Sequence, residues 1–480
     1  MLLGVGDAAR GGAGDGDGAR PDDATELELV CAERDELARR LDELTSSRLH
    51  RLLARCRRVL GGGIRFGPRR PAVLPVSPVE PEIEPSLPVE SGAAGDVETE
   101  PLVPLEVVAP DEATPSALVI DARHPTPDRD AGSRYTTGIV EALEDLGHRV
   151  AFLADDGAAT PDPDLVFGEV HVVHHPIDVL ALLRQWSATL EVVVLCRGSV
   201  AARHLALVRT SVPDATVVFS PHDLVFLREG RRAELEPVSA RLVDAHREIE
   251  LGNVRASDVT IVPSTHELAL LRELCPEARV HLVPIRETPR ATEADHCPDG
   301  RSGIVFVGGF AHAPNVDAVH WLVDEIMPKV WEVTPDATVD VIGADPPPDL
   351  ESVDERVRIR GWVPDLAAEY DGARVVVAPL RFGAGAKGKI SEAMAAGVPV
   401  VTTTVGAEGM GIVPGDHAIV ADGERPFAQA VVQLFDDDGL WTHLAARAAE
   451  QVAVHHGAEA VRDALAAAID DAPGRSPRPD

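Results

Sequence analysis

Between Ser116 and Asp422, short apolar runs rich in Val and Ile keep recurring, separated by stretches with helical spacing. The first series reads SALVIDAR, VAFLAD, EVHVVHH, EVVVLCR, ATVVFSPHD and DVTIVPS. The second reads GIVFVGG, ATVDVIG, VRIRG, ARVVVAPL, VPVVTT and HAIVAD. Such runs read as strands buried on both faces, and strands that alternate with helices form parallel sheets. A Pro/Asp/Gly-rich break from Glu287 separates the two series. The pattern therefore predicts two doubly wound α/β domains facing each other across a cleft: one over 116–286, a linker over 287–300, and a second over 301–465. A chain of 480 residues exceeds a single hydrophobic core, which agrees with that division.

The flanks differ in texture. Residues 1–23 are Gly/Ala/Asp-rich, and both they and the tail over 466–480 are expected to be disordered. Over 24–67, Leu27, Val30, Leu37, Leu41 and Leu44 fall at helical spacing, which predicts an amphipathic helix or short coiled coil. Its basic second half leaves open both a membrane-surface helix and a solvated one. A coiled-coil partner or peripheral contact with the inner face of a membrane is the expectation attached to this segment. Residues 68–115 are Pro/Glu-rich and read as an extended linker.

Charge and cysteine usage narrow the function classes. A formal charge of −34 argues against a sequence-independent grip on nucleic acid. The five cysteines are scattered without metal-type spacing, which suits a reducing compartment. The N-terminus lacks a leader's apolar core, and no apolar run reaches the length of a membrane span. A cytoplasmic location is expected.

One stretch departs from the chain's habits. Only three lysines stand among its 45 basic residues, and two of them, Lys387 and Lys389, fall in RFGAGAKGKISEAMAAGVPVV. A strand precedes this glycine-bearing loop and a helix follows it, the place where α/β sheets bind ligands. Gly383 and Gly385 let the backbone approach a ligand, and N–H groups at a helix start favour an anion. Compact ammonium groups suit a crowded phosphate site better than guanidinium groups. Glu392, one turn into the helix, can accept both hydroxyls of a ribose. Together these residues describe a nucleotide diphosphate site.

PLRFGAGAKGKISEAMAAGVPVVTTTVGAEGM resembles the C-terminal signature of GT-B glycosyltransferases of family 4, or group 1. IVFVGGFAHAPNVDAVHWLVDEIMPKVWEVTPDATVDVIG and VIDARHPTPDRDAGSRYTTGIVEALEDLGHRVAFLAD are similar to the openings of that family's two Rossmann-like domains in bacterial polysaccharide and O-antigen members. The resemblance spans roughly Ser116 to Leu465. It implies retaining transfer of a sugar from a UDP- or GDP-linked donor, held mainly by the second domain, to a glycan or lipid-linked hydroxyl acceptor held by the first. The nucleotide sugar is a co-substrate, and no other cofactor and no metal are expected.

The resemblance also assigns residues. Glu392 matches the second glutamate of the family's E-x7-E motif, and Ala384 stands where the first is expected. The nucleotide-sugar set is Gly308, Gly309, Asn315, Gly383, Ala384, Gly385, Ala386, Lys387, Lys389, Ile390 and Glu392. VGGFAHAPN lacks the cations many relatives carry there, so Lys387 and Lys389, helped by Arg381, are expected to supply the charge that stabilises the leaving diphosphate. On the acceptor side, Gly132, Ser133 and Arg134 form a loop for acceptor or phosphate. His222, with Asp223 alongside, is a candidate to orient or deprotonate the acceptor hydroxyl. Glu267 is a weaker candidate. Lys387, Arg381, His222 and Asp223 make up the expected catalytic set. The same architecture hosts nucleotide-sugar epimerases, and a degenerate GT-B scaffold or binding protein is a further alternative.

Overall fold

The computed structural model describes residues 114–156, 171–173, 179–289, 297–352 and 354–474. The expected N-terminal helix over 24–67, and all but the last two residues of the linker over 68–115, lie outside the described residues.

Described residues form two parallel sheets. The first contains β1 (Ala117–Asp121), β2 (Val150–Ala154), β3 (His171–Val173), β4 (Val192–Cys196), β5 (Thr216–Ser220), β6 (Val259–Val262) and β7 (Val280–Leu282), in the order β3-β2-β1-β4-β5-β6-β7. The second contains β8 (Ser302–Val307), β9 (Val339–Ile342), β10 (Val357–Gly361), β11 (Ala373–Ala378), β12 (Val400–Thr402) and β13 (Ile419–Val420), in the order β10-β9-β8-β11-β12-β13. This is the expected pair of Rossmann-like domains, with β7 as one strand more than the apolar runs revealed.

Each of β1, β2, β4, β5 and β11 is buried along its whole length. Helices on both faces exclude water from both sets of alternating side chains, which is why apolar residues dominate these strands, while an exception such as Arg374 of β11 is paired with Asp438. The strand order reverses between β1 and β4 in one sheet and between β8 and β11 in the other. Loops leaving those strands open onto a crevice at the switch point.

The helices that matter for the site are α1 (Ala131–Asp145), α2 (Val225–Arg232), α3 (Thr265–Leu274), α4 (Ala313–Trp321), α5 (Gly388–Ala395), α6 (Asp438–His455) and α7 (Ala458–Asp470). The expectation of a disordered tail from 466 is corrected here, because α7 continues through Asp470. Its Val461, Leu465, Ala468 and Ile469, with Ala472 beyond it, join the core of the first domain beside Ile139 and Leu143 of α1. Burial of side chains such as Leu465 and Ile469 contributes about 1.5–3 kcal/mol each, ample reason for the chain to return. The chain thus crosses between the domains at Glu287 and again at His456, where the Glu287 amide donates to the His456 carbonyl at 2.8 Å. The His456 Nδ1–H donates to the Ile285 carbonyl at 3.0 Å.

Among the described residues no helix is long and apolar enough to cross a membrane.

Candidate active site

A cleft of about 620 Å³ lies between the two sheets, within the range of small-molecule sites. The loop after β1 and the start of α1, the ends of β4 and β5, the Gly308–Gly309 turn after β8, and the glycine loop before α5 all reach it.

On the second-domain side, Lys387 and Lys389 both line the cleft. Lys387 Nζ donates to the Gly385 carbonyl at 2.8 Å. Lys389 Nζ bonds Asn315 Oδ1 and stands 5.0 Å over the Phe306 ring. Neither is paired with a carboxylate among the described residues. Burial pushes Lys387 down to about 8, the nearby Glu267 partly opposing it. Burial and then the Lys387 charge push Lys389 down to about 7. Gly308 is a glycine for a spatial reason: a Cβ there would lie 2.7 Å from Asn315 Cγ and 3.0 Å from Lys389 Nζ. Asn315 Nδ2 in turn donates to the Gly309 carbonyl at 2.8 Å, which fixes the amide so that its oxygen faces the lysine. His312 lines the same wall.

Glu392 also lines the cleft. Its Oε2 lies 3.0 Å from Arg134 Nη1 and accepts from the Tyr370 hydroxyl at 3.2 Å. Arg134 reaches Glu287 as well, at 3.7 Å. This arginine comes from the first turn of α1 and lines the cleft, and its guanidinium also links the domains through Glu392.

Three expected binding or catalytic residues are placed elsewhere. Arg381 is exposed, paired with Asp317 and stacked 5.7 Å over Trp321, away from the cleft. An acidic side chain 64 positions away captured it. Ile390 is fully buried in the core behind α5, and its amide is spent on the Lys387 carbonyl at 2.8 Å. Gly385 faces the first domain, with its amide donating to Glu267 Oε1 at 2.9 Å. Gly309, Gly383, Ala384 and Ala386 do line the cleft.

On the first-domain side, Gly132 lines the cleft, whereas Ser133 is buried and serves the helix start. Asp130 accepts from both its amide and its hydroxyl at 2.7 Å. His222 sits at the end of β5 with φ +71°, in the left-handed region. The pairing of His222 with Asp223 is corrected: Asp223 is paired with Arg228, which holds its carboxyl below the usual range against burial. The partner of His222 is Thr136, whose Oγ1 lies 3.2 Å from Nε2. Thr136 donates its own hydrogen to Asp121 Oδ2 at 2.7 Å. The Nε2 atom therefore carries the proton, and Nδ1 is a lone-pair acceptor. That Nδ1 is buried beneath Gly132 with no hydrogen-bond partner among the described residues. Burial and the Arg197 charge push His222 down to about 4, so the ring is neutral at physiological pH.

Asp121, Cys196 and His222 bring ligand-type atoms within 4.8 Å of one another, the metal-type group found among the described residues. Asp121, however, already accepts from Arg197 Nε at 2.7 Å, from Thr136, and from the Ala122 amide at 2.6 Å. Its acceptor capacity is spent on hydrogen bonds, so the group is a poor fit to a cation. The acidic run at 436–438 is structural too: Asp437 caps α6 by accepting from the Leu440 amide at 2.8 Å, and Asp438 pairs with Arg374.

Residues missed by sequence reasoning are those that join the domains. Arg231 Nη1 donates to the Gly383 carbonyl at 2.7 Å and pairs with Glu408 at 2.9 Å. No local signal marks such contacts, because their partners lie more than a hundred positions away.

Residues 301–437 match the family of group 1 glycosyl transferases. A curated relative from Klebsiella pneumoniae, described as an uncharacterized 44.6 kDa protein in the cps region, is 27% identical over 139 residues. The match covers 27% of this chain and 36% of that protein, so the chain spans about a third of the relative's length. Among solved structures, sucrose-phosphate synthase from Thermosynechococcus elongatus aligns with a TM-score of 0.56 at 17% identity, over 73% of this chain and 97% of that one. Anabaena HepE in complex with UDP and glucose aligns at 0.58 and 12% identity, over 73% and 98%. A glycosyltransferase from Rickettsia africae aligns at 0.56 and 13% identity, over 76% and 100%. At these identities the likeness to solved structures is one of fold. Residues 301–437 are thus a group 1 glycosyl transferase domain, set in a chain with the two-sheet GT-B fold.

Proposed function

We propose that this chain is a glycosyltransferase that moves a sugar from a nucleotide diphosphate sugar to a hydroxyl acceptor, with retention at the anomeric carbon. The observation that carries the reading is the pair of lysines at the start of α5, Lys387 buried and Lys389 half-buried, both lining the cleft with no carboxylate at ion-pair distance among the described residues. Buried ammonium groups are costly unless an anion meets them, and a diphosphate between them at a helix N-terminus meets both. Glu392, one turn further along α5, is placed to accept ribose hydroxyls.

In the proposed reaction the bond from C1 of the sugar to the phosphate oxygen breaks, and its electron pair leaves with the diphosphate. Lys387 and Lys389 stabilise the charge that grows there. The acceptor oxygen forms its bond to C1 on the same face. His222 is neutral and its free nitrogen is covered by Gly132, so it orients the first-domain side of the cleft. The hydroxyl proton passes to the departing phosphate oxygen. Contacts to the sugar ring come from the glycine loop rather than from the motif's first glutamate, whose place Ala384 occupies.

A bacterial envelope glycan or lipid-linked glycan is the proposed acceptor class, and a cytoplasmic site of action the proposed location. The HepE complex contains UDP and glucose, which makes UDP-glucose the first donor to try. The test is a donor-hydrolysis screen across UDP and GDP sugars, with calorimetry for the free nucleotides. Binding of a nucleoside diphosphate with slow release of free sugar is expected. Absence of binding by every nucleotide overturns the reading.

A further inference from the structure

We infer that Glu267 is a positioning residue of the transfer reaction, its carboxylate tying the donor loop of the second domain to the histidine loop of the first. The inference rests on the glycosyltransferase reading and names a residue that acts without touching substrate.

Glu267 lies in the first turn of α3, behind the glycine loop, and is 1% exposed. Its Oε1 accepts from two amides, Leu224 at 2.8 Å and Gly385 at 2.9 Å. Leu224 is two residues past His222, and Gly385 stands between Ala384 and the lysines. One oxygen atom therefore sets the separation between the two walls of the cleft. The surrounding contacts agree. Gly385 has φ +66°, and a Cβ there would come within 3.0 Å of the His222 carbonyl oxygen and of Asp223 Cβ. The donor loop lies directly on the His222–Asp223 backbone. Beside it, the Thr265 amide donates to the Gly409 carbonyl at 3.0 Å.

An apolar side chain could fill this space, but it would strand two buried N–H groups. A glutamine could satisfy both, so the acceptor role alone does not call for a charge. The charge has its own counterpart. Glu267 Oε2 is buried and has no hydrogen-bond partner among the described residues; burial and then the Asp223 charge push the carboxyl up to about 7, while the two amides and Lys387 favour its charged form. The carboxylate in turn favours the charged form of Lys387. Glu267 thus holds the loop by one oxygen and helps keep the phosphate-side lysine an ammonium by its charge.

The two roles separate in Glu267→Ala and Glu267→Gln, made in the full chain. Three readouts are compared: amide hydrogen exchange at Leu224 and Gly385, affinity for UDP and GDP, and the pH profile of kcat with the donor found by the hydrolysis screen. Glu267→Ala should lose protection at both amides and lower kcat by about ten- to a hundredfold, as loss of alignment does, with nucleotide affinity little changed. Glu267→Gln should keep the protection and most of kcat, but move the alkaline limb of the profile to lower pH. Unchanged protection in Glu267→Ala, or full kcat despite lost protection, overturns the inference. If Glu267→Ala does not fold, Glu267→Gln decides: an unmoved alkaline limb overturns the inference and a shifted one supports it. If the wild-type chain turns over no nucleotide sugar, the glycosyltransferase reading falls, and amide exchange alone decides whether Glu267 joins the two loops.

Discussion

Arg134 and Glu392 form an ion pair of 3.0 Å across the two domains, with Glu287 a further 3.7 Å contact of the same guanidinium. The residue expected to hold ribose therefore already has a cation beside it. Removing the arginine takes the cation from Glu287, which is 8% exposed and whose carboxyl burial pushes up against the opposing pull of Arg134, and leaves it the Ser391 hydroxyl at 2.6 Å. Arg134→Ala should lower unfolding free energy by about 3 kcal/mol, the usual cost of breaking a buried pair, read from the urea midpoint. An unchanged midpoint would show that water replaces the guanidinium.

Glu392→Ala removes the proposed ribose acceptor while leaving Arg134 with Glu287. Nucleoside diphosphate affinity should fall by about ten- to a hundredfold, the worth of hydrogen bonds to a charged group. Calorimetry with UDP and GDP checks this, and an affinity equal to wild type assigns the ribose elsewhere.

Lys387→Ala and Lys389→Ala each remove a donor proposed to meet the leaving group. Turnover should drop by about a hundred- to a thousandfold, more than affinity does, because the charge they meet grows as the bond breaks. Steady-state kinetics would contradict this if KM rose and kcat stayed the same.

The same lysines give a pH signature. Lys389 is held near 7 and Lys387 near 8, both below the ordinary 10.5. A bound diphosphate favours their charged forms, so binding at about pH 7.5 takes up protons and weakens as pH rises beyond. Binding enthalpy should then differ between buffers of different ionisation heat. Equal enthalpies would rule out lysine protonation on binding. Folding follows the opposite sign. Between about 7 and 10.5 the unfolded chain binds more protons at these sites, so their contribution makes the empty protein more stable as pH rises through that window.

Arg381→Gln tests the corrected placement. With its guanidinium on Asp317 and over Trp321, turnover and KM should match wild type. A large fall in kcat would mean that Arg381 leaves Asp317 for the cleft during the reaction.

Much of this was legible because strands buried on both faces must be continuous apolar runs, as in Val192–Cys196, and because loop, lysines and glutamate lie within a dozen residues. What escaped is non-local or weakly apolar. Arg381 looked like a phosphate cation until Asp317 came beside it. Asp223 adjoins His222 in sequence, yet Arg228 takes it and Thr136 takes the histidine. β7 is only three residues, VHL, too short to stand out. α7 is alanine-rich, so its apolar stripe of Val461, Leu465, Ala468 and Ile469 reads faintly until the core of the other domain is there to receive it. Glu267 was legible only as a weak candidate on the first-domain side, and Arg231 not at all, since Gly385 and Gly383, which they hold, belong to a loop in the opposite domain.

The double passage of the chain between the domains has a mechanical consequence. Two tethers, at Ile285–Glu287 and at His456, run side by side and are hydrogen-bonded to each other. They form a pin: a swing about the line through both tethers keeps the Glu287–His456 bond but must release the Arg134, Arg231 and Glu267 contacts across the cleft, whereas sliding or twisting must break that bond as well. Any closing stroke driven by a nucleotide should then be a swing about that pin. Small-angle scattering with and without UDP would show a change in radius of gyration, and Leu465→Asp, which frees α7 from the first domain, should widen the distribution of shapes in both states.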